Sequence, residues 1–162
     1  MKDPEPLSVE DRFAIFEQMN LHQQAIDAGW GLDQARAYVD LYWPDGKFTV
    51  IDLRHTTFEG ADGLKRMYDY AHSVFPIEKW SHHMGPFRID GRGDTATAHW
   101  RWLVRWSRET QGIVSTGTYD DNWEKRNGVW KCLERTSSVD GNWPLHTFQP
   151  YVDRQDELYR ES

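Results

Sequence analysis

The second half of the chain limits the fold most, because four long segments there alternate in hydropathy and are parted by turn signals. Trp80 to Asp90, Thr95 to Ser107, Gly112 to Glu124 and Val129 to Val139 read as strands, separated by Gly91 to Asp94, Arg108 to Gln111 and Asn127-Gly128. The last is a favoured hairpin turn, since both of its residues tolerate positive φ. In the segment from Thr95, period two puts Ala96, Ala98, Trp100, Trp102, Val104 and Trp106 on one side, opposite Thr95, Thr97, His99, Arg101 and Arg105. An antiparallel meander follows, with a tryptophan face that a core or another subunit must cover.

The first half reads differently. Ser8 with Asp11 three residues on predicts a helix start, and Phe13, Phe16, Leu21 and Ile26 supply a helical stripe running to Gly29. Leu32 to Tyr42 reads as a second helix, stopped by Pro44-Asp45-Gly46. Lys47 to Leu53 alternates as a strand, and Gly60 to Phe75 returns to helical spacing through Leu64, Met67, Tyr68 and Ala71. Helices, then a strand, a helix and a meander make an α+β pattern. With 162 residues, 38% hydrophobic and nine Trp, the chain has the material for one domain and one core.

A net charge of -7 without a basic stripe argues against nucleic-acid binding. No apolar run approaches the roughly 20 residues that span a bilayer, so no membrane role is expected and the cytoplasm is the expected compartment. Cys132, the single cysteine, excludes an internal disulfide and any multi-cysteine metal site. His82, His83 and His99 cannot all face one way under period two, so no metal is expected.

The inward polar residues are the candidates for chemistry. His83 shares parity with Gly85, Phe87 and Ile89, while His82 goes with Met84, Pro86 and Arg88. With the Phe87 face inward, His83 is a buried imidazole in need of a partner, because an unpaired buried polar group costs on the order of 1 to 3 kcal/mol. Arg135 shares parity with Leu133 and Ser137, although Lys131 shares it too, and an inward Arg demands an anion. Asp27 follows His22 by five residues, about 140° around a helix and only loosely one face. A carboxylate at a helix C-terminus opposes the macrodipole, so Asp27 is best explained by a cationic neighbour, His83 or Arg135.

Several short motifs lead to a resemblance. They are Ile26-Asp27-Ala28-Gly29, Tyr42-Trp43-Pro44-Asp45, Phe58-Glu59-Gly60, His83-Met84-Gly85, Gly93 to Ala98, Gly117-Thr118-Tyr119-Asp120 and Asn127 to Lys131. Through them the chain resembles the SnoaL-like branch of the NTF2-like superfamily over residues 9–148, leaving 1–8 as a lead and 149–162 as a tail. The resemblance implies a cone-shaped α+β barrel, its curved, mostly antiparallel sheet wrapped around N-terminal helices, and a homodimer or homotrimer. Within that branch the pattern is most similar to hexachlorocyclohexane dehydrochlorinase, scytalone dehydratase and bile-acid 7α-dehydratase, all cofactor-independent lyases. The dehydrochlorinase's catalytic Asp, His and Arg fall on Asp27, His83 and Arg135, whereas His22 stands where the relatives carry Lys or Tyr.

The resulting expectation is a lyase without cofactor. His83 is the general base, Asp27 orients it, Arg135 stabilises negative charge, and a protonated His22 donates to a departing oxygen. Trp30, Phe48, Phe87, Trp102, Tyr119 and Trp143 suit a hydrophobic, aromatic or polycyclic small molecule. The same groups serve carbon–carbon cleavage or a double-bond shift, and the rival from another class is a ligand-binding or assembly module that does no chemistry.

Overall fold

The computed structural model describes residues 5–27, 33–51, 55–74, 80–106 and 113–140. Helix α1 (Val9–Ile26) begins as expected, with the Ser8 side chain accepting the Asp11 N–H at 3.0 Å, which satisfies a donor that the helix itself leaves orphaned. Asp11 also ties the helix to the sheet, because its carboxylate accepts Lys125 Nζ and Trp130 Nε1, each at 2.7 Å. The buried face of α1 is Ile15, Met19, His22, Gln23 and Ala25. It differs from the stripe expected through Phe13 and Leu21, which are 57% and 40% exposed. Two polar residues sit on the buried face, so apolarity alone points to the wrong side of this helix.

Helix α2 (Gln34–Asp40) is capped by Asp33, and β1 (Tyr42–Ile51) starts within the expected helix. Pro44-Asp45-Gly46 lies inside β1 rather than ending an element. Pairing to β6 jumps there from Tyr42↔Cys132 to Lys47↔Glu134, and a proline without an N–H is tolerated where no ladder bond is made. β2 (Thr56–Glu59), α3 (Gly60–Val74), β3 (Trp80–Arg92), β4 (Thr95–Trp106), β5 (Ile113–Arg126) and β6 (Val129–Val139) complete the order. On α3, Leu64, Met67 and Tyr68 are buried, as their spacing predicts.

The six strands form one sheet in the order β2-β1-β6-β5-β4-β3. Among the described residues, only the β1–β6 pair is parallel. Ala96, Ala98, Trp100, Trp102 and Val104 of β4 are buried beneath the helices, so the tryptophan face is core. Each fully buried large apolar side chain contributes about 1.5 to 3 kcal/mol. Opposite, Thr95, Thr97, His99, Arg101 and Arg105 are exposed. Between β5 and β6 the register passes from Trp123↔Cys132 to Asn122↔Glu134, leaving Leu133 as an extra residue. This bulge moves the inward parity from Trp130 and Cys132 to Arg135 and Ser137, so Lys131 and Arg135 need not share a face.

Among the described residues, no helix is long and apolar enough to cross a membrane.

The Asp11 carboxyl is held down, to about 2 from 3.8, chiefly by the Lys125 hydrogen bond and then by that of Trp130. Its folded value lies below its ordinary one, so its stabilising contribution is present above pH 3.8 and is lost as pH falls through about 2. Urea unfolding measured at several pH values is therefore expected to show a smaller loss of stability over that window in Asp11→Asn than in the wild type.

Candidate active site

The two adjacent histidines of β3 are sorted by a bulge. His82 pairs with Val104 and Met84 with Trp102, but the next inward pairs are Phe87↔Trp100 and Ile89↔Ala98. Three steps along β3 therefore match two along β4, and the inward parity switches from even to odd at Gly85-Pro86. The expected inward histidine, His83, is thus the outward one: it is exposed, and its Nε2 lies 3.0 Å from Ser81 Oγ. His82 faces in. The signal was present in the sequence, since a Gly-Pro pair within a strand marks a bulge or an edge, and β3 is an edge strand.

His82, rather than His83 or Arg135, is the neighbour of Asp27. His82 Nδ1 lies 2.5 Å from Asp27 Oδ1, and the His82 backbone N–H donates to both carboxylate oxygens at 3.0 and 2.9 Å. The two side chains are 8% and 12% exposed. One carboxylate thus fixes both the strand and the ring, and an Nδ1–H donated to it leaves Nε2 as the basic nitrogen. Asp27 closes α1 as its C-cap, its N–H bonded to the Gln23 carbonyl at 3.1 Å. Its own carbonyl accepts Gln34 Nε2 at 2.5 Å.

Arg135 is inward as expected, but its anion belongs to the protein. Its Nε and Nη2 donate to Asp121 Oδ1 and Oδ2 at 2.6 and 2.7 Å, with both side chains at most 1% exposed. Trp100 Nε1 donates to the same carboxylate at 2.8 Å. The guanidinium also lies 5.1 and 4.9 Å from the ring centroids of Trp100 and Tyr119, a cation–π arrangement. The expected role of stabilising charge on a substrate is therefore replaced by an internal ion pair. Asp121 was missed because inward parity identifies a buried charge but not its partner.

His22 is 1% exposed, and neither ring nitrogen has a hydrogen-bond partner. Its ring centroid lies 5.1 Å from that of Tyr38, 5.4 Å from Tyr119 and 6.2 Å from Trp100. Burial first, then Arg135 and His82, push its pKa well below the ordinary value. The expected protonated donor is thus a neutral imidazole, which still carries one N–H.

Of the aromatic candidates, Phe48, Trp102 and Tyr119 line the interior together, with Tyr119 6.2 Å from Phe48 and 5.8 Å from Trp102 between centroids. The Trp102 ring lies against Gly117, where an added Cβ would meet it at 2.4 Å. Burial pushes the Tyr119 phenol up to about 12, so it stays protonated. The Phe87 ring lies tilted against Phe16, with centroids 5.1 Å apart, and is 48% exposed. Trp30 and Trp143 lie outside the described residues.

Among the described residues, three helices and a six-stranded, mostly antiparallel curved sheet make the NTF2-like α+β cone. The chain belongs to the SnoaL-like domain family, whose model matches residues 7–136. No curated protein matches it by sequence. Among solved structures it is similar to a protein of unknown function with a cystatin-like fold from Nostoc punctiforme, with TM-score 0.76, 22% identity and coverage of 86% of this chain and 98% of that one. It is also similar to the hexachlorocyclohexane dehydrochlorinase LinA-type3 from Novosphingobium barchaimii, with TM-score 0.67, 17% identity and coverage of 82% and 88%. A proposed scytalone dehydratase from Novosphingobium aromaticivorans aligns with TM-score 0.65, 21% identity and coverage of 82% and 85%. At these identities the likeness is one of fold.

Two measurements check the electrostatics. In an NMR titration, His22 is expected to stay neutral while an ordinary histidine protonates near pH 6.5. Asp121→Ala strands a buried guanidinium and is expected to cost about 3 to 5 kcal/mol in urea unfolding, whereas replacing both partners by Met and Leu restores most of the loss.

Proposed function

We propose that the chain is a cofactor-independent lyase acting on a hydrophobic, aromatic or polycyclic small molecule by dehydratase-type elimination. The observation that carries this reading is the Asp27–His82 pair, in which one carboxylate accepts both the ring and the backbone N–H of the same histidine. His82 Nε2 takes a proton from the carbon next to the one that bears the leaving group. The C–H electron pair becomes the new double bond, and the leaving group departs with the electrons of its own bond. Asp27 stabilises the imidazolium formed, which is what makes the imidazole an effective base. Neutral His22, with one N–H, offers a hydrogen bond to the leaving group, and the proton taken by His82 Nε2 goes to the departing hydroxide to give water and restore the base. The fold shared with a dehydrochlorinase and a proposed scytalone dehydratase supports the reaction class.

The test is a screen of hydroxylated aromatic and polycyclic compounds for loss of water, run on wild type, His82→Ala, Asp27→Asn and His83→Ala. The first two variants are expected to lose about 10²-fold or more of the activity, and His83→Ala to retain it. Activity that survives both His82→Ala and Asp27→Asn overturns the assignment. Release of a small carbonyl in place of water assigns retro-aldol-type carbon–carbon cleavage to the same base.

A further inference from the structure

Gln23 sits on the buried face of α1, 7% exposed, and neither its Oε1 nor its Nε2 has a hydrogen-bond partner among the described residues. The contacts of α1 place it. Phe16, Gln23 and Asp27 fall within about 40° of one another around the helix. The outer two of these both meet β3, since the Phe16 ring lies against Phe87 with centroids 5.1 Å apart and Asp27 binds His82. One turn before Phe16, Arg12 donates to the Ile89 carbonyl, so α1 runs antiparallel to β3. Gln23 therefore falls between these contacts, opposite the Met84 stretch and one turn from Asp27. Met84 pairs with Trp102 of β4, whose Nε1 is a second buried donor without a partner among the described residues.

An amide in this place destabilises the fold in a way that a hydrocarbon would not. Met or Leu would fill a similar length, whereas both ends of the Gln23 amide give up water without gaining a partner. Packing does not account for it, and neither does the backbone, because the bond from the Asp27 N–H goes to the main-chain carbonyl of Gln23. Recognition of a ligand does: buried polar groups discriminate strongly between a molecule that pairs with them and one that leaves them unpaired. The chemistry of that molecule follows from the atoms to be matched. Gln23 Oε1 needs a donor and Trp102 Nε1–H an acceptor, and a hydroxyl is the smallest group that is both. A carbonyl or an ether accepts but leaves Oε1 stranded.

We propose that Gln23 is a specificity-determining residue of the Asp27–His82 site, and that the substrate carries a second hydroxyl, besides the oxygen it loses, which donates to Gln23 Oε1 and accepts from the Trp102 indole N–H. The leaving oxygen is met by His82 and His22, so Gln23 and Trp102 serve a different one. The proposal rests on substrate binding beside His82, between α1 and the sheet.

The test needs no turnover, which separates its outcome from that of the elimination. The full chain is titrated with β-naphthol and with its methyl ether, which keeps the oxygen as an acceptor but has no hydrogen to donate, in wild type, Gln23→Met and Gln23→Leu. Binding is read from the Trp102 indole N–H signal by NMR, assigned by its loss in Trp102→Phe. Wild type is expected to bind the naphthol about tenfold more tightly than the ether, the worth of one ordinary hydrogen bond, and the indole signal to move on binding. Both Gln23 variants are expected to abolish that preference and, with the stranded amide gone, to unfold at a higher urea concentration than wild type. A preference that survives in both variants, a naphthol that leaves the Trp102 signal unmoved, or a lower urea midpoint in both variants overturns the proposal. A preference abolished in a protein that His82→Ala leaves fully active defeats the acid–base pair, while the role of Gln23 stands.

Discussion

The buried Arg135–Asp121 pair organises the interior. It spans β6 and β5, takes the Trp100 indole N–H as a third arm, and is enclosed by Trp100, Tyr119, Tyr42 and Trp123. A buried ion pair is weak evidence for stability, because desolvating two charges offsets much of their attraction. Its geometry is a strong constraint, however, since neither charge tolerates losing the other. The aromatic rings around it are consequently held in one arrangement, and His22 lies among them. Burial first, and the Arg135 cation second, keep its imidazole neutral, so the ion pair adds to what burial does to the chemistry of the interior.

A second constraint is local. One extra residue in β3 rotates the strand by a full side-chain alternation, which turns His82 toward Asp27 and His83 toward solvent. Bulges re-aim side chains and sit preferentially at sheet edges, and this one contains the proline that an edge strand can accommodate. The same device in β6 turns Arg135 inward. His82 and Arg135 are thus both placed by departures from regular pairing.

Asp27 is held from three sides. It caps the end of α1, and the bonds that hold it come from α1 itself, from Gln34 of α2 and from His82 of β3. A carboxylate at a helix C-terminus is disfavoured by the helix dipole, and here the strand's backbone N–H and the histidine ring offset that cost. The pair is therefore a meeting of elements distant in sequence, each end fixed by its own backbone bonds.

Much of the fold was legible in the chain. Alternation around Trp100 and Trp102, the Asn127-Gly128 turn and the Ser8 cap each depend on neighbours within a few residues, and all have the predicted structure. The interior position of Trp102 was readable for the same reason, because period two needs no tertiary knowledge; Arg135 faces inward as expected, but through a bulge that unbroken alternation does not show. The partner relations were not readable. Parity carried back from Phe87 selects His83; Gly85-Pro86 signals a bulge or an edge, and the register against β4 shows that the alternation slips there. The anion of Arg135 and the neutrality of His22 depend on side chains that meet across the sheet. The sequence by itself determined an α+β chain with buried tryptophans and a few inward polar residues, because local periodicity records which side of an element avoids water. Which of those residues face one another, and in what charge state, was decided by the tertiary structure, because strand register and burial are properties of the packed whole.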